Sequence, residues 1–184
     1  MEIIKTEIPN LLIIKPKLFE DQRGYFFESY NEKQFQTNGI NTKFVQDNQS
    51  FSLHGTIRGL HYQLAPYAQT KLVRVLQGKI FDVAVDIREN SPTFGKWFGQ
   101  ELSSENKLQL LIPQGFAHGF SVISETATVL YKCDNLYNKK SERGINYLDK
   151  QLNINWEIDK DKIIVSSKDN ILPALENVEM NFKY

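Results

Sequence analysis

The sequence feature that most constrains the fold is a succession of short apolar segments separated by turn residues. Residues 72–76 are apolar and β-branched for the most part, and after a turn at Gly78 residues 80–87 form a second such segment. In this second segment every other residue from Phe81 to Ile87 is a large apolar one. Two strand-like segments joined by a turn glycine are typical of a β-hairpin, so we expect these two strands to pair.

The same pattern continues through the middle of the chain. Further strands are predicted at residues 97–102, 107–112, 119–124 and 126–133. Short strands at regular spacing favour an all-β sandwich or barrel. Helices are expected only at residues 31–38, with Asn31 as the N-cap and Gly39 as the stop, and near residues 173–177. We find neither a repeat nor a linker, so residues 1–184 are expected to form one domain.

The composition excludes several classes of function. The 22 Lys and Arg residues balance the 22 Asp and Glu residues, so nothing indicates a nucleic-acid partner. A single cysteine excludes an intramolecular disulfide and a cysteine-based zinc site. The sequence has no apolar run near the roughly 20 residues that cross a membrane, and its first ten residues lack the apolar core of a signal peptide. The cytoplasm is therefore the expected location.

The histidines indicate a cupin-like scaffold without a metal. Residues 113–118 fit the pattern Pro-x-Gly-x-x-His, which resembles the second cupin motif. A metal-binding cupin has a His-x-His pair and a glutamate before the turn glycine, but here Gln63 follows His61 at the second His position and Lys71 replaces the glutamate. Because a lysine ammonium repels a divalent cation, we predict that the metal site has been lost and that no cofactor is bound.

The segment around His61 predicts a local irregularity in its strand. In a regular strand Arg58 and His61 would point to opposite faces. A β-bulge at Gly59 would bring both side chains to one side. His54, in contrast, is expected to be a hydrogen-bonded structural residue.

Long segments of the chain resemble one enzyme family in the same order. They are residues 21–26, 44–48, 58–63, 71–75, 81–86, 91–97, 112–120, 130–133 and 167–169. On these segments the chain, from about Ile8 to Asp169, resembles the dTDP-4-dehydrorhamnose 3,5-epimerases of deoxysugar biosynthesis. The resemblance implies an all-β cupin-type double-stranded β-helix, or jelly roll, with short peripheral helices.

The resemblance also implies a reaction and a catalytic set. Members of this family invert C3 and C5 of dTDP-4-dehydro-6-deoxy-D-glucose through an enolate, which gives dTDP-4-dehydro-L-rhamnose. By resemblance His61 is the base, Asp169 pairs with it, Lys71 stabilises the enolate and Tyr131 is the acid. The family uses neither a metal nor an organic cofactor.

Binding residues and a partner are implied in the same way. Arg23 and Arg58 match contacts to the pyrophosphate, Glu28, Gln46, Asp47 and Asn48 match contacts to the nucleotide and sugar, His118 matches a substrate contact, Tyr137 matches the ring that stacks on thymine, and Glu142 and Lys168 match further binding positions. The family forms homodimers that exchange N-terminal strands. Arg23 and Glu28 are therefore expected to serve the site of the other subunit.

Other functions remain open at the level of sequence. A single-site 3- or 5-epimerase or a 3,4-ketoisomerase would use the same enolate chemistry. A metal-dependent cupin oxygenase or isomerase would need the ligands that Gln63 and Lys71 replace. A non-catalytic nucleotide-sugar binding module is the third alternative, because a fold does not fix a function.

Overall fold

The computed structural model describes residues 1–184 and consists mainly of β-strands. The strands are, in chain order, β1 (Glu2–Lys5), β2 (Leu12–Lys15), β3 (Phe19–Asp21), β4 (Gly24–Phe26), β5 (Gln46–Leu53), β6 (Thr56–Gln63), β7 (Lys71–Gln77), β8 (Lys79–Asp86), β9 (Trp97–Ser103), β10 (Gln109–Ile112), β11 (Phe116–Val122), β12 (Thr126–Cys133), β13 (Glu142–Gly144) and β14 (Ile164–Val165). Two short helices, α1 (Glu32–Thr37) and α2 (Ser167–Asn170), and 3₁₀ turns at Lys160–Lys162 and Leu175–Asn177 complete the chain. None of the helices has the length and apolar character needed to span a bilayer.

Two large sheets form the body of the molecule. The first has the strand order β1-β2-β10-β7-β12-β5, and the second has the order β13-β6-β11-β8-β9. All these neighbours are antiparallel, and β14 adds to β6 in parallel. The two sheets face each other as a jelly roll of the cupin type. The predicted all-β fold with short peripheral helices is thus confirmed.

The expected hairpin of residues 72–76 and 80–87 is wrong. Both strands exist, but β7 pairs with β10 and β12, whereas β8 pairs with β9 and β11. The chain turns at Gly78 and passes from the first sheet to the second. Gly78 has φ +79°, and a Cβ there would lie 2.0 Å from the carbonyl oxygen of Thr126, so this corner requires glycine.

Other predicted elements agree more closely with the structure. The strand predicted at residues 126–133 coincides with β12, and the Asn31 side chain caps α1 by accepting a hydrogen bond from the Gln34 N–H. Strand β11 begins at Phe116, three residues before the predicted start, so His118 lies within a strand. Helix α2 was not predicted from the sequence.

Strand alternation separates two large apolar clusters. The cluster between the sheets contains Val73, Ile80, Phe120 and Val129, among others. The second cluster, on the outer face of the second sheet, includes Val83, Val85 and Trp156. A smaller cluster around Phe35 joins α1 to the outer face of the first sheet. The polar residues that share the inward face with the first cluster therefore stand out as candidates for function.

A buried ion pair joins both ends of the chain to β8. The Arg88 guanidinium donates to both oxygens of Asp86 at 2.9 and 2.7 Å. It also donates to Asn10 and to the carbonyl of Pro9 near the N-terminus, and the ring of Tyr184 lies 4.9 Å from its Cζ. Burial raises the pKa of Asp86, but the bonds from Arg88 and two neighbouring hydroxyls outweigh burial and lower it.

We predict that Arg88→Met destabilises the protein far more than a substitution that removes an exposed ion pair with a similar N–O distance. The substitution leaves the fully buried Asp86 carboxylate without its cation, which typically costs about 3–5 kcal/mol. Lys162→Met is the matched control, because Lys162 and Asp159 form a 2.6 Å pair with both side chains exposed. Urea unfolding of both variants measures the difference. Equal losses of stability would contradict the prediction.

Candidate active site

An open cleft between the two sheets gathers most of the predicted site residues. The larger of two adjoining cavities has a volume of ≈ 630 Å³ and the smaller one ≈ 380 Å³. His61, Lys71 and Tyr131 line both cavities. Arg58, His118, Lys168 and Asp169 line the larger cavity, and Gln46, Asn48, Tyr137 and Glu142 line the smaller one. The three shared residues thus lie where the two cavities meet.

A β-bulge in β6 sets the direction of the Arg58 and His61 side chains. His61 pairs with His118 of β11, and Arg58 pairs with Phe120, so two residues of β6, Gly59 and Leu60, oppose the single residue Gly119 of β11. Gly59 within the bulge has φ +129°, and a Cβ there would lie 2.5 Å from the Gly119 Cα. Because Arg58 and His61 both line the larger cavity, the bulge expected at Gly59 is confirmed.

His61 forms a close pair with Asp169. Its Nε2 lies 2.7 Å from Oδ1 of Asp169, and Oδ2 of the same carboxylate accepts the N–H of Gly59 at 3.3 Å. Ser166 caps α2 by accepting the N–H of Asp169 at 3.1 Å, which orients this aspartate toward β6. Burial raises the pKa of Asp169, but the bonds from His61 and Gly59 outweigh it and lower the pKa. The carboxylate therefore holds Nε2–H, and Nδ1 is the nitrogen left for a reactant.

A second His–Asp pair lies beside the first. The Nε2 of His118 is 2.8 Å from Oδ1 of Asp82, a carboxylate with no exposed surface. Burial lowers the pKa of His118, and the attraction of Asp82 offsets only part of that effect. Burial thus favours the neutral imidazole form of His118.

Lys71 and Tyr131 come from neighbouring strands of the opposite sheet. The ammonium nitrogen of Lys71 lies 6.0 Å from the centre of the Tyr131 ring. Burial lowers the pKa of Lys71, against the opposing influence of Cys133, Asp82 and Glu142. Burial also raises the pKa of Tyr131, so its phenol stays protonated at pH 7. The cleft therefore has a proton donor on the wall that faces the His61 wall.

A polar network lines the smaller cavity. The Gln46 amide donates to Asn48 at 2.9 Å and its oxygen accepts the backbone N–H of Tyr137 at 3.1 Å. The Tyr137 hydroxyl donates to Glu142 at 2.8 Å, and the Lys168 ammonium lies 2.6 Å from the same carboxylate oxygen. Burial raises the pKa of Glu142, but the bonds from Lys168 and Tyr137 outweigh it and lower the pKa. These groups offer donors and acceptors to a polar ligand.

Three predicted site residues lie away from this cleft. Asp47 points to the other face of β5, where Lys132 binds its carboxylate at 2.9 and 3.1 Å. Arg23 is exposed on the β3–β4 hairpin and pairs with Asp21 at 2.6 Å. Glu28 accepts hydrogen bonds from Asn31 and Gln34 before and within α1. A single chain does not bring these three groups to its own cleft.

The structure adds cleft residues that the sequence reasoning missed. Ser50 and Ser52 continue the inward alternation of Gln46 and Asn48 along β5, and Ser52 accepts a hydrogen bond from Arg58 at 3.0 Å. Asp82 lies behind His118 on β8. Asp82 could have been recognised in the sequence as a charged residue at an inward-facing position of β8, between the apolar residues Ile80 and Ala84. No three His, Cys, Asp or Glu side chains of the chain lie together as metal ligands.

The geometry is suited to moving protons on both sides of a bound ring. One wall offers Nδ1 of His61 as an acceptor, and the other wall offers the Tyr131 hydroxyl as a donor and, on the neighbouring strand, the Lys71 ammonium. A cation beside a carbonyl oxygen stabilises the enolate that forms when the neighbouring carbon loses its proton. The cleft can therefore exchange a proton on a carbon next to a ketone.

Comparisons with known proteins agree on one family. The family model described as dTDP-4-dehydrorhamnose 3,5-epimerase matches residues 5–177. The dTDP-4-dehydrorhamnose 3,5-epimerase of Shigella flexneri is 57% identical over 170 residues, which cover 92% of this chain and 93% of that protein.

Solved structures agree with the sequence relatives. The crystal structure of dTDP-4-dehydrorhamnose 3,5-epimerase from Elizabethkingia anophelis has a TM-score of 0.92 and 54% identity, and the match covers 96% of this chain and 97% of that one. A dTDP-6-deoxy-D-glucose-3,5-epimerase from Legionella pneumophila, solved with dTDP-4-keto-L-rhamnose, has a TM-score of 0.92 and 50% identity over 97% of this chain and 94% of that one. The chain belongs to the dTDP-4-dehydrorhamnose 3,5-epimerase family.

Proposed function

We propose that this protein inverts C3 and C5 of dTDP-4-dehydro-6-deoxy-D-glucose to give dTDP-4-dehydro-L-rhamnose. The observation that carries the proposal is that the His61–Asp169 pair lies on one wall of the cleft, and the Tyr131 hydroxyl and Lys71 lie on the opposite wall. One relative named for this reaction, from Shigella flexneri, is 57% identical to this chain over 92% of its length. The family and the cleft therefore support the same chemistry.

His61 removes the proton in this proposal. The C3 and C5 protons are weakly acidic because each carbon neighbours the C4 ketone. Nδ1 of His61 takes the proton, and the imidazolium that forms is stabilised by Asp169 at 2.7 Å from Nε2. Asp169 is ready for this role because its pKa lies below the usual value, so it remains an anion.

Lys71 stabilises the enolate and Tyr131 returns the proton. The charge that develops on O4 is attracted by the Lys71 ammonium, and removing one such group typically costs roughly 10²–10³-fold in rate. The Tyr131 phenol then protonates the carbon from the face opposite His61, which inverts the centre. The tyrosinate that remains regains its proton before the next turnover.

Arg58 contacts the pyrophosphate in this proposal, together with the Arg23 side chain that the other subunit contributes. Arg58 and the further binding residue Lys168 both line the larger cavity, and the Arg58 fork is aligned by Ser52 at 3.0 Å. A planar guanidinium suits two phosphate oxygens. Lys168 already pairs with an anion, the Glu142 carboxylate, at 2.6 Å. Gln46, Asn48, His118, Tyr137 and Glu142 contact the sugar or the nucleotide.

The enzyme works as a homodimer with exchanged N-terminal strands. Strand β5 is an edge of the first sheet, and its outward side chains Phe51 and Leu53 are exposed. The β3–β4 hairpin likewise exposes Phe19 and Phe26. Exposed edges with apolar side chains are normally covered, and a two-fold dimer covers both. Arg23, Glu28 and Asp47 lie outside their own cleft and so belong to the subunit contacts or to the partner's site.

Residues 1–184 act as one catalytic unit in this proposal, and the enzyme works in the cytoplasm. The single cysteine, Cys133, is buried and unpaired, which suits a reducing compartment.

Deuterium exchange tests the reaction and the base. Proton NMR of dTDP-4-keto-6-deoxyglucose in D₂O with the wild-type protein is expected to show deuterium at both C3 and C5. His61→Ala is expected to slow both exchanges by about 10²–10⁴-fold, because the base is lost. Exchange at one carbon alone would identify a single-site epimerase, and binding by calorimetry without exchange would identify a binding module.

Tyr131→Phe separates proton removal from inversion. Because His61 remains, the variant is expected to incorporate deuterium at C3 and C5 on the same face of the ring from which the proton was removed. Inverted product is expected to fall by about 10²-fold or more, because the opposite face has no donor. The ratio of exchange to inversion, measured by NMR, checks this. An unchanged ratio would assign the acid to another group.

Mixed dimers test the sharing of Arg23. Arg23→Ala and His61→Ala are each expected to lower activity strongly. When the two variants are co-expressed and mixed dimers form, one site of each mixed dimer regains a complete set of residues. Activity is then expected to recover to about a quarter of wild type, since half of randomly formed dimers are mixed. Absence of recovery in mixed dimers verified by mass would place Arg23 in its own subunit's site or outside both.

A further inference from the structure

A buried carboxylate behind the cleft has an oxygen without a partner. Asp82 has no exposed surface, and its Oδ1 receives the Nε2–H of His118 at 2.8 Å. Its Oδ2 has no hydrogen-bond partner. A buried charge that is only half satisfied is costly unless an opposite charge lies near it. This oxygen therefore requires an explanation that the fold alone does not supply.

The position of Asp82 on β8 brings it toward the reacting groups. Its inward neighbours on the strand, Ile80 and Ala84, belong to the cluster between the sheets, so its side chain points into the same interior as Lys71 and Tyr131. Across the strand pair, Asp82 is in register with Phe120, which lines the cleft. Asp82 raises the pKa of Lys71 against the larger, opposing effect of burial. Lys71 is thus a cation whose charge interacts with this carboxylate.

The hydrogen bond to Asp82 also selects a tautomer of His118. With Nε2–H donated to the carboxylate, the neutral ring keeps its lone pair on Nδ1. The ring lines the larger cavity, so Nδ1 is the nitrogen available to a ligand. A lone pair accepts from a hydroxyl and repels a ketone oxygen. A neutral His118 in this tautomer can therefore accept a hydrogen bond from a hydroxyl of a ligand, but cannot donate one to a ketone from Nδ1.

We propose that Asp82 is a positioning residue that serves two catalytic-site groups at once. One oxygen keeps His118 as a hydrogen-bond acceptor for a sugar hydroxyl, and the other supplies the counter-charge that keeps the buried Lys71 ammonium protonated. This inference rests on the proposed function. It assigns to Asp82 a role in setting charge and proton position, and no direct contact with substrate.

The pH dependence of the reaction is the first test. The titratable groups around Lys71 are Asp82, Tyr131, Cys133 and Glu142, and those around His118 are Asp82, Lys71 and His61. Asp82→Asn removes the negative charge and keeps the shape. Because the Lys71 pKa then falls further, the basic limb of the kcat profile for deuterium exchange is expected to move to lower pH by about one pH unit or more.

A matched control separates this effect from loss of stability. Asp149 is also buried, but it caps the backbone N–H groups of Leu152 and Leu175 on the outer face of the second sheet. Asp149→Asn is expected to lower the unfolding temperature and to leave the basic limb in place. If Asp82→Asn and Asp149→Asn lower stability alike and neither moves the limb, Asp82 has only a structural role and the inference fails.

Histidine NMR gives a second test that needs neither activity nor a cleft variant. The chain has three histidines, and His54→Gln removes the signals of the one outside the cleft. In the ¹⁵N-labelled enzyme at pH 7, His118 is expected to be protonated at Nε2 and unprotonated at Nδ1. A proton on Nδ1 would overturn the inference. Wild-type protein that shows this tautomer but no deuterium exchange would instead refute the proposed function.

Discussion

The close approach of β6 and β11 at Gly59 and Gly119 is the constraint on which the candidate site depends. A Cβ on Gly59 would lie 2.5 Å from the Gly119 Cα, and a Cβ on Gly119 would lie 2.8 Å from the Arg58 carbonyl oxygen. Only two residues without side chains allow the bulge that turns Arg58 and His61 into one cleft. The N–H of Gly59 also donates to Asp169, so the same few atoms position His61 and its partner Asp169.

The division of the interior follows from strand alternation. Each strand gives every second side chain to the space between the sheets, where the apolar cluster occupies part of that space. The polar inward positions, among them His61, Lys71, His118 and Tyr131, adjoin that cluster and open to the cleft. The apolar residues of this cluster pack on the same strands that carry the polar cleft residues. The packing of the core therefore also fixes the positions of these polar side chains.

The strand pattern predicted the class of fold, and the resemblance to the family supplied most of the cleft residues. The pattern failed where strand pairing or long-range contacts decide the structure. Alternation identified the strands but not their partners, so β7 and β8 were expected to form a hairpin although each pairs with other strands in a different sheet. Helix α2 is four residues long and has no periodicity to detect, yet it carries Asp169. The pairing of Asp82 with His118 was missed because these residues are 36 positions apart and come together only in the folded chain.

Solvent exposure distinguishes the two His–Asp pairs, which are otherwise alike. The side chain of His61 is 29% exposed and that of Asp169 6%, whereas the values for His118 and Asp82 are 7% and 0%. The base that we propose His61 to be would gain and lose a positive charge in every turnover, so it needs surroundings that solvate both states. The partly exposed position of His61 in the cleft provides them. Burial opposes a charge on His118, which is consistent with the proposed role of this side chain as a neutral acceptor for a hydroxyl. The fold thus gives the two paired histidines of β6 and β11 different exposure to solvent, and this difference supports the different roles that we propose for them.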